Sequence, residues 1–276
     1  MGHALILDVQ NLIHRARSGF TKGEHPIVFN FLRGLRPIFE KFKPDAAFFV
    51  LEGVPRRRLE VYPEYKATRK KMEPSAYEAF IRQVDECVDC LIHSFPGSIV
   101  IHHPDYEADD VIAYSTSLCA KTLGQTVTIV SSDTDFIQLL QKGWDVRLWN
   151  PIKKAFIEAP DYDYISWKAL CGDGSDNIIG VSGVGDKTAK ALLGDTQQLE
   201  KTLCKGDTRE LFARNKDLIE FDMVDDRELR FLNEGHDRTW DELHNRLELF
   251  DFKSMLKETT WEKYKATFAT LKGITS

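Results

Sequence analysis

The chain of 276 residues is 42% hydrophobic and carries a formal net charge of −6, an ordinary balance for a folded protein with room for one large domain or a core and an appendage. No apolar run reaches the roughly 20 residues of a membrane span, and "MGHALILDVQN" lacks the charged lead and cleavage site of a secretory signal, so a cytoplasmic protein is expected. Five cysteines, an odd number, argue for reduced thiols rather than a disulfide framework.

In chain order, "ALILDV" (4–9) reads as a short buried strand leading into a helix, and "IVFNFLRGLRPIFEKF" (27–42) as a helix that Pro37 is expected to bend. "AAFFVLE" (46–52) is a second strand. Bulk acidity would repel nucleic acid, yet "RRRLEVYPEYKATRKK" (56–71) concentrates Arg56, Arg57, Arg58, Lys66, Arg69, Lys70 and Lys71 against Glu60 and Glu64 alone. A long helix is expected over 75–95, with Cys87 and Cys90 as ordinary helix positions rather than half of a zinc or redox motif. "SIVIHH" (98–103) and "VTIVSS" (127–132) are further strands flanking a helix at 107–123, and 145–159 reads as a terminal hairpin. Alternation of this kind predicts an α/β fold with a mostly parallel sheet covered on both faces. From about residue 161 the strands are expected to stop, so the chain divides into a core, 1–160, and a helical region, 161–276, broken by the Gly-rich stretch 172–185.

In open parallel sheets functional residues gather at the carboxyl ends of the strands. Asp8 ends the first strand and Glu52 the second; Glu107, Asp109 and Asp110 follow the third, Asp133 and Asp135 the fourth. Asp173 and Asp176, in "GDGSDN", fall in the loop after a helix expected at 161–171. Any one of these could simply cap a helix. Converging on one edge, they would cost several kcal/mol or turn neutral unless cations compensate them. Oxygen donors without matching His or Cys select Mg²⁺ or Mn²⁺ over zinc. Carboxylates enough for two ions, about 4 Å apart, point to phosphodiester chemistry. Further on, Gly180, Gly183 and Gly185 permit close backbone approach, and the helix starting near Asp186 offers free N–H groups to a phosphate.

Five stretches, "LDVQNLIHR" (7–15), "RLEVYPEYKATR" (58–69), "YEADDVIA" (106–113), "SSDTDFIQLL" (131–140) and "GDGSDNIIGVSGVGDKTAKALL" (172–193), resemble in order and spacing the 5′-nuclease or flap endonuclease family. That family includes phage 5′–3′ exonucleases and the 5′-nuclease domains of bacterial DNA polymerases I. The resemblance implies that Asp8, Glu107 and Asp109 ligate one metal and that Asp133, Asp135 and Asp173 ligate a second, with Asp109 near both. It makes Asp110 and Asp176 outer ligands acting through water, and Lys66 and Arg69 the catalytic basic pair that contacts the scissile phosphate. Arg15, Arg58, Lys70 and Lys71 become further DNA contacts, and the segment from about 66 to 95 a helical arch for a single 5′ strand. The Gly-rich stretch, about 170–205, becomes a helix–turn–helix element gripping duplex DNA through Gly183, Gly185, Lys187 and Lys190, with carbonyls of Val181, Ser182 and Val184 holding K⁺.

Two positions depart from the family pattern. Leu51-Glu52 stands where Phe-Asp is usual, and Val9 where Gly is usual. A Glu carboxylate reaches one methylene further, so Glu52 is kept among the metal ligands. The expectation is thus a stand-alone, monomeric structure-specific 5′-nuclease with two Mg²⁺ (or Mn²⁺), acting on DNA with a free 5′ end: a flap, a nick, a branch or an RNA primer. A non-catalytic DNA-binding protein on the same fold would be expected to lose second-site carboxylates, and a PIN-like ribonuclease would not need the Gly-rich duplex-gripping element. Both are present.

Overall fold

A computed structural model describes residues 2–19 and 23–272. Strands β1 (His3–Asp8), β2 (Ala46–Val50), β3 (Ser98–His102), β4 (Thr126–Val130) and β5 (Val146–Asn150) lie parallel in the order β5-β4-β1-β2-β3. β6 (Ala155–Ile157) turns back antiparallel along β5. Helices α1 (Val9–Arg17), α2 (Pro26–Phe42), α3 (Arg56–Val61), α4 (Pro74–His93), α5 (Ala108–Ser117) and the short α6 (Ile137–Leu140) lie between the strands.

Every residue of β1 after His3 is buried, because helices cover both faces of the sheet, as parallel sheets require. Leu5 and Leu7 pack on one face against α2 and α4, while Ala4 and Ile6 pack on the other against α5. α2 runs on through Pro37 without a break.

The stretch from 62 to 69 forms tight turns, and 70–73 has no regular structure. α4 then packs down on the core, burying Phe80, Gln83, Cys87, Cys90 and Leu91. Phe80, Cys87, Cys90 and Leu91 fall on one face of the helix, and that face packs on the α/β layer. The two cysteines are fully buried and free, as ordinary helix positions should be.

The helical region begins with α7 (Tyr164–Cys171), then a two-residue pair, β7 (Gly172–Asp173) and β8 (Ile178–Ile179), then α8 (Asp186–Leu193), α9 (Thr196–Leu203) and α10 (Thr208–Ile219). The β7–β8 pair depends on glycine, since a Cβ on Gly180 would sit 2.2 Å from the Cys171 carbonyl oxygen.

Strands do not stop at 160. β9 (Arg230–Phe231) adds antiparallel to β3 at the sheet edge. α11 (Trp240–Leu249), α12 (Lys253–Leu256) and α13 (Glu258–Thr267) follow, and Leu243, Met255, Trp261, Tyr264 and Phe268 join the core cluster of α2 and α4. The Tyr264 hydroxyl donates to the Leu32 carbonyl at 2.9 Å. The chain after about 230 therefore belongs to the first layer rather than to the helices of 164–219.

Candidate metal centre

The strand order reverses between β1 and β4, which makes a crevice at their carboxyl ends. Asp8 caps α1 from one side of it, accepting the Asn11 backbone N–H at 3.0 Å and the Ser131 hydroxyl at 2.8 Å. Asp133 follows β4 and accepts the Asp135 N–H at 2.8 Å. Asn11 and Ser132 tie the two strand ends together, with Asn11 Nδ2 donating to Ser132 Oγ at 2.8 Å.

Asp109, in the first turn of α5, completes this group. None of the described residues donates a hydrogen bond to its carboxylate; Lys66 is the cation whose charge reaches it. Burial, then Asp133, Asp8 and Glu52, push its pKa well up. Burial likewise raises Asp8 to about 6. Glu52 accepts the Ala108 N–H at 3.2 Å, so it caps the helix that carries Asp109. Glu52 is exposed, yet protein atoms crowd its carboxylate, and that desolvation followed by Glu107 raises it to about 7.

Asp135, Asp173 and Asp176 form a second group, each offering an oxygen within 4.8 Å of the others. Lys168, on α7, bridges Asp135 and Asp173, at 2.6 Å from the latter. Burial opposes the charge on Asp173, but Lys168 and the two Ser175 hydrogen bonds overcome it and hold Asp173 down to about 2. Asp135 is more deeply buried and stays raised despite the same lysine. The Tyr164 hydroxyl reaches Asp135 at 3.1 Å.

The turns at 62–69 carry cations to the rim. Lys66 has a left-handed backbone, φ 58°, a conformation uncommon for a residue with a Cβ, held by its N–H donating to the Asp176 carbonyl at 3.0 Å. Its ammonium pairs with Glu107 and lies 4.0 Å from Asp176. Arg69 donates to Asp176 at 2.7 Å. Tyr65, buried beside them, has its hydroxyl 3.0 Å from Glu107 and 3.1 Å from Asp176.

Two expected site residues are committed to one another rather than to a ligand. Arg58, read as a DNA contact, is only 3% exposed; Asp110, read as an outer metal ligand, is fully buried. They bind one another at 2.6 and 2.7 Å, so neither has a face left for phosphate or metal. Arg58 also donates to Glu107 at 2.9 Å and to the Leu218 carbonyl at 3.0 Å.

Lys70, Lys71 and Lys187 are exposed, and Arg15 is half-buried between α1 and α2. Lys190 pairs with Asp186 at 2.8 Å and stands over the rings of Tyr162 and Trp167. Gly183 has φ 74° in the turn before α8, and Gly185 caps that helix. Val181 is buried there, Ser182 exposed and Val184 half-buried.

Sequence reasoning missed Tyr65, Tyr164 and Lys168. Tyr65 adjoins Lys66 and could have been drawn in with it. Lys168 gives no such signal, because a lysine in a helical pattern normally faces solvent.

A parallel α/β layer with a carboxylate-lined crevice, followed by a helical module entered through a Gly-rich turn, defines the nuclease class to which the site conforms. The chain belongs to the 5′–3′ exonuclease family: it matches the 5′–3′ exonuclease N-terminal resolvase-like domain over residues 3–166 and the 5′–3′ exonuclease C-terminal SAM fold over residues 159–225. It is 30% identical over 213 residues to a 5′–3′ exonuclease of Mycoplasmopsis pulmonis, which spans 71% of this chain and 68% of that protein. It is 32% identical over 240 residues to the thermostable DNA polymerase I of Thermus aquaticus, covering 80% of this chain and 27% of the polymerase. The fold is that of a bacteriophage T5 flap endonuclease variant solved with DNA and metal ions, at a TM-score of 0.65 and 19% identity, over 98% of this chain and 99% of that one.

The donor set fits hard divalent cations. Asp109 is a crowded carboxylate without a hydrogen-bond donor among the described residues, beside Asp8, Glu52 and Asp133. The acids that converge here offer only oxygen ligands, the donor type that hard divalent cations take.

Proposed function

We propose that this protein is a structure-specific 5′-nuclease that hydrolyses DNA phosphodiesters near a free 5′ end, on flapped, nicked or branched duplexes and on RNA primers, as a cytoplasmic monomer. The observation that carries the reading is Asp109. A carboxylate without a hydrogen-bond donor among three other acids, with Lys66 at the rim, suits a cation on one side and a phosphate on the other. Asp8, Glu52, Glu107 and Asp109 would hold one ion, and Asp133, Asp135 and Asp173 a second with Asp176 beside them, Mg²⁺ or Mn²⁺ in each case; the grouping of Asp135, Asp173 and Asp176 supports the second. Such a pair supplies an activated water and stabilises the leaving oxygen.

The chain's own part is charge and position. Lys66 and Arg69 are fixed by Glu107 and Asp176 before substrate arrives, so they meet a phosphoryl oxygen with little reorganisation. Lys70, Lys71, Arg15, Lys187 and Lys190 are surface cations suited to backbone phosphates, which position DNA without reading its sequence. The left-handed Gly183 and the cap at Gly185 leave free N–H groups at the start of α8, which suit a backbone phosphate, and K⁺ on the carbonyls of Val181, Ser182 and Val184 is part of the same reading.

The test is a gel assay of a 5′-labelled flap duplex with Mg²⁺, with Mn²⁺, with EDTA, and with the 5′ end blocked. Metal-dependent cutting near the junction, reduced by the block, is expected. Tight flap binding with no cutting in either metal would overturn the nuclease and leave a structure-specific DNA-binding protein.

A further inference from the structure

Just past the end of β4, one hydroxyl touches both halves of the acid cluster. Leu7 and Val130 are the last paired residues of β1 and β4, so Ser131 comes level with Asp8 one step further along the parallel register. The Ser131 backbone stays in the sheet, its N–H donating to the Trp149 carbonyl at 3.2 Å. Its side chain is fully buried and donates across to Asp8 Oδ2 at 2.8 Å. The same hydroxyl oxygen accepts the Asp133 backbone N–H at 3.0 Å.

A serine hydroxyl has one proton and two lone pairs. The Asp133 N–H can only donate, so it occupies a lone pair, and the hydroxyl proton is left for the Asp8 carboxylate. The hydroxyl is thereby fixed in direction. Asp8 Oδ1 accepts the Asn11 N–H, so each Asp8 oxygen is held by one donor and keeps a lone pair for a cation. Beyond Ser131, Asp133 Oδ1 accepts the Asp135 N–H at 2.8 Å. Asp8, Ser131, Asp133 and Asp135 thus form a continuous line of hydrogen bonds from one group of acids to the other. Asn11 and Ser132 bond across the same strand ends, but their side chains bond to one another and to the Ser132 N–H, not to a carboxylate.

We propose that Ser131 is a positioning residue that sets the separation of the two ions, by fixing Asp8, a ligand of one, against Asp133, a ligand of the other. The inference rests on the two-ion reading above and assigns to one buried hydroxyl the spacing that such chemistry needs, about 4 Å. Carboxylates that ligate a metal are themselves oriented by hydrogen bonds, and losing such a partner costs about 10- to 100-fold in metal affinity.

The experiment titrates Mn²⁺ into the protein bound to a duplex already cut at the junction, so that no turnover intervenes, and records electron paramagnetic resonance. A magnetically coupled Mn²⁺ pair is expected for the unaltered protein. Ser131→Ala should bind Mn²⁺ about 10- to 100-fold more weakly, and at saturation its pair should show altered or lost coupling. Ser131→Thr, which keeps the hydroxyl, should restore both. Ser132→Ala removes the neighbouring bond across the strand ends, so it should lower Tm and leave the coupling unchanged. Ser131→Cys, which keeps a side chain of similar shape but donates only weakly, should reproduce the alanine spectrum and serves in its place if the alanine protein does not fold. A folded Ser131→Ala or Ser131→Cys protein with unaltered affinity and coupling makes Ser131 a structural brace, and tighter binding makes its hydroxyl a competitor of the ion for Asp8; either overturns the proposal and leaves the two-ion reading standing. No coupled pair in the unaltered protein brings down both.

Discussion

The Arg58 guanidinium grips both oxygens of the Asp110 carboxylate at 2.6 and 2.7 Å, with the arginine 3% exposed and the aspartate fully buried. The same arginine donates to the carbonyls of Leu218 and Glu220, and Asp110 accepts the Asp222 N–H at 2.8 Å. One buried pair thus joins α3, α5 and the end of α10. Removing one partner of such a pair leaves an uncompensated charge and costs about 3–5 kcal/mol. Arg58→Met should therefore lower Tm by on the order of 10 °C, and the double variant Arg58→Met/Asp110→Leu should recover part of that loss. A double variant no better than the single one would show that the backbone bonds to Leu218 and Glu220 matter more than the charge pair.

Asp109→Asn should act in opposite directions on activity and stability. Without metal, Asp109 is a carboxylate whose ionisation is opposed by burial and three neighbouring acids, so an amide relieves repulsion and should raise Tm in EDTA. Cleavage should fall by at least the ~10²-fold typical of losing one transition-state electrostatic contact, with flap binding retained. A fully active Asp109→Asn protein would remove Asp109 from the metal centre.

The pH dependence of the metal-free protein follows from the same crowding. Asp8 is raised to about 6 and Glu52 to about 7, so between about pH 4 and 7 the folded state binds more protons than the unfolded one. Stability must then fall as pH rises through that window. Thermal denaturation in EDTA should show a lower Tm at pH 7.5 than at pH 5.5. The Tm increment on adding Mg²⁺ should be larger at the higher pH, where the ion no longer competes with protons. An increment that shrinks with pH would mean that these two carboxylates do not meet the ion.

Much of the layer and its edge was legible from residue pattern alone, and the reasons are local. β1, β2 and β4 are short runs of apolar residues with no period-two polarity, which only a doubly covered sheet accommodates. Their carboxyl-end acids therefore fall on one edge by the sequence pattern alone. β9 was not legible, because a strand of Arg230–Phe231 has no periodicity and is set by its partner β3. Arg58 and Asp110 were misassigned for a related reason. A basic run looks solvated in sequence, and only the folded chain shows that one of its arginines turns inward. Lys168 was invisible on the same ground, its burial arising from two acids at distant positions, Asp135 and Asp173.

Lys66 can be separated from general surface charge by its geometry. It sits at φ 58° with its ammonium on Glu107, whereas Lys70 and Lys71 are exposed. Lys66→Ala should lower single-turnover cleavage by about 10²–10³-fold, as for other fixed electrostatic groups, with flap affinity nearly unchanged. Lys70→Ala/Lys71→Ala should instead weaken binding, lessen its salt dependence and leave the saturated rate intact. Equal effects from both variants, confined to binding, would make Lys66 another phosphate anchor.

Lys168 provides the sharpest contrast with Arg58, because its ammonium stands where the second ion is proposed to bind. It bridges Asp135 and Asp173, while Asp176 offers a third oxygen in the same group. Lys168→Met leaves those carboxylates facing one another without a counter-charge, so Tm in EDTA should fall. A divalent ion can replace the lost ammonium, so Mg²⁺ should restore most of the loss, and the midpoint of the Mg²⁺ titration should shift to lower concentration as the competing cation is gone. Arg58→Met, whose acid partner Asp110 is sealed from solvent, should show no such recovery. A Lys168→Met deficit that is the same with and without Mg²⁺ would make Lys168 a structural brace alone, and the second ion would then have to be sought away from Asp135 and Asp173.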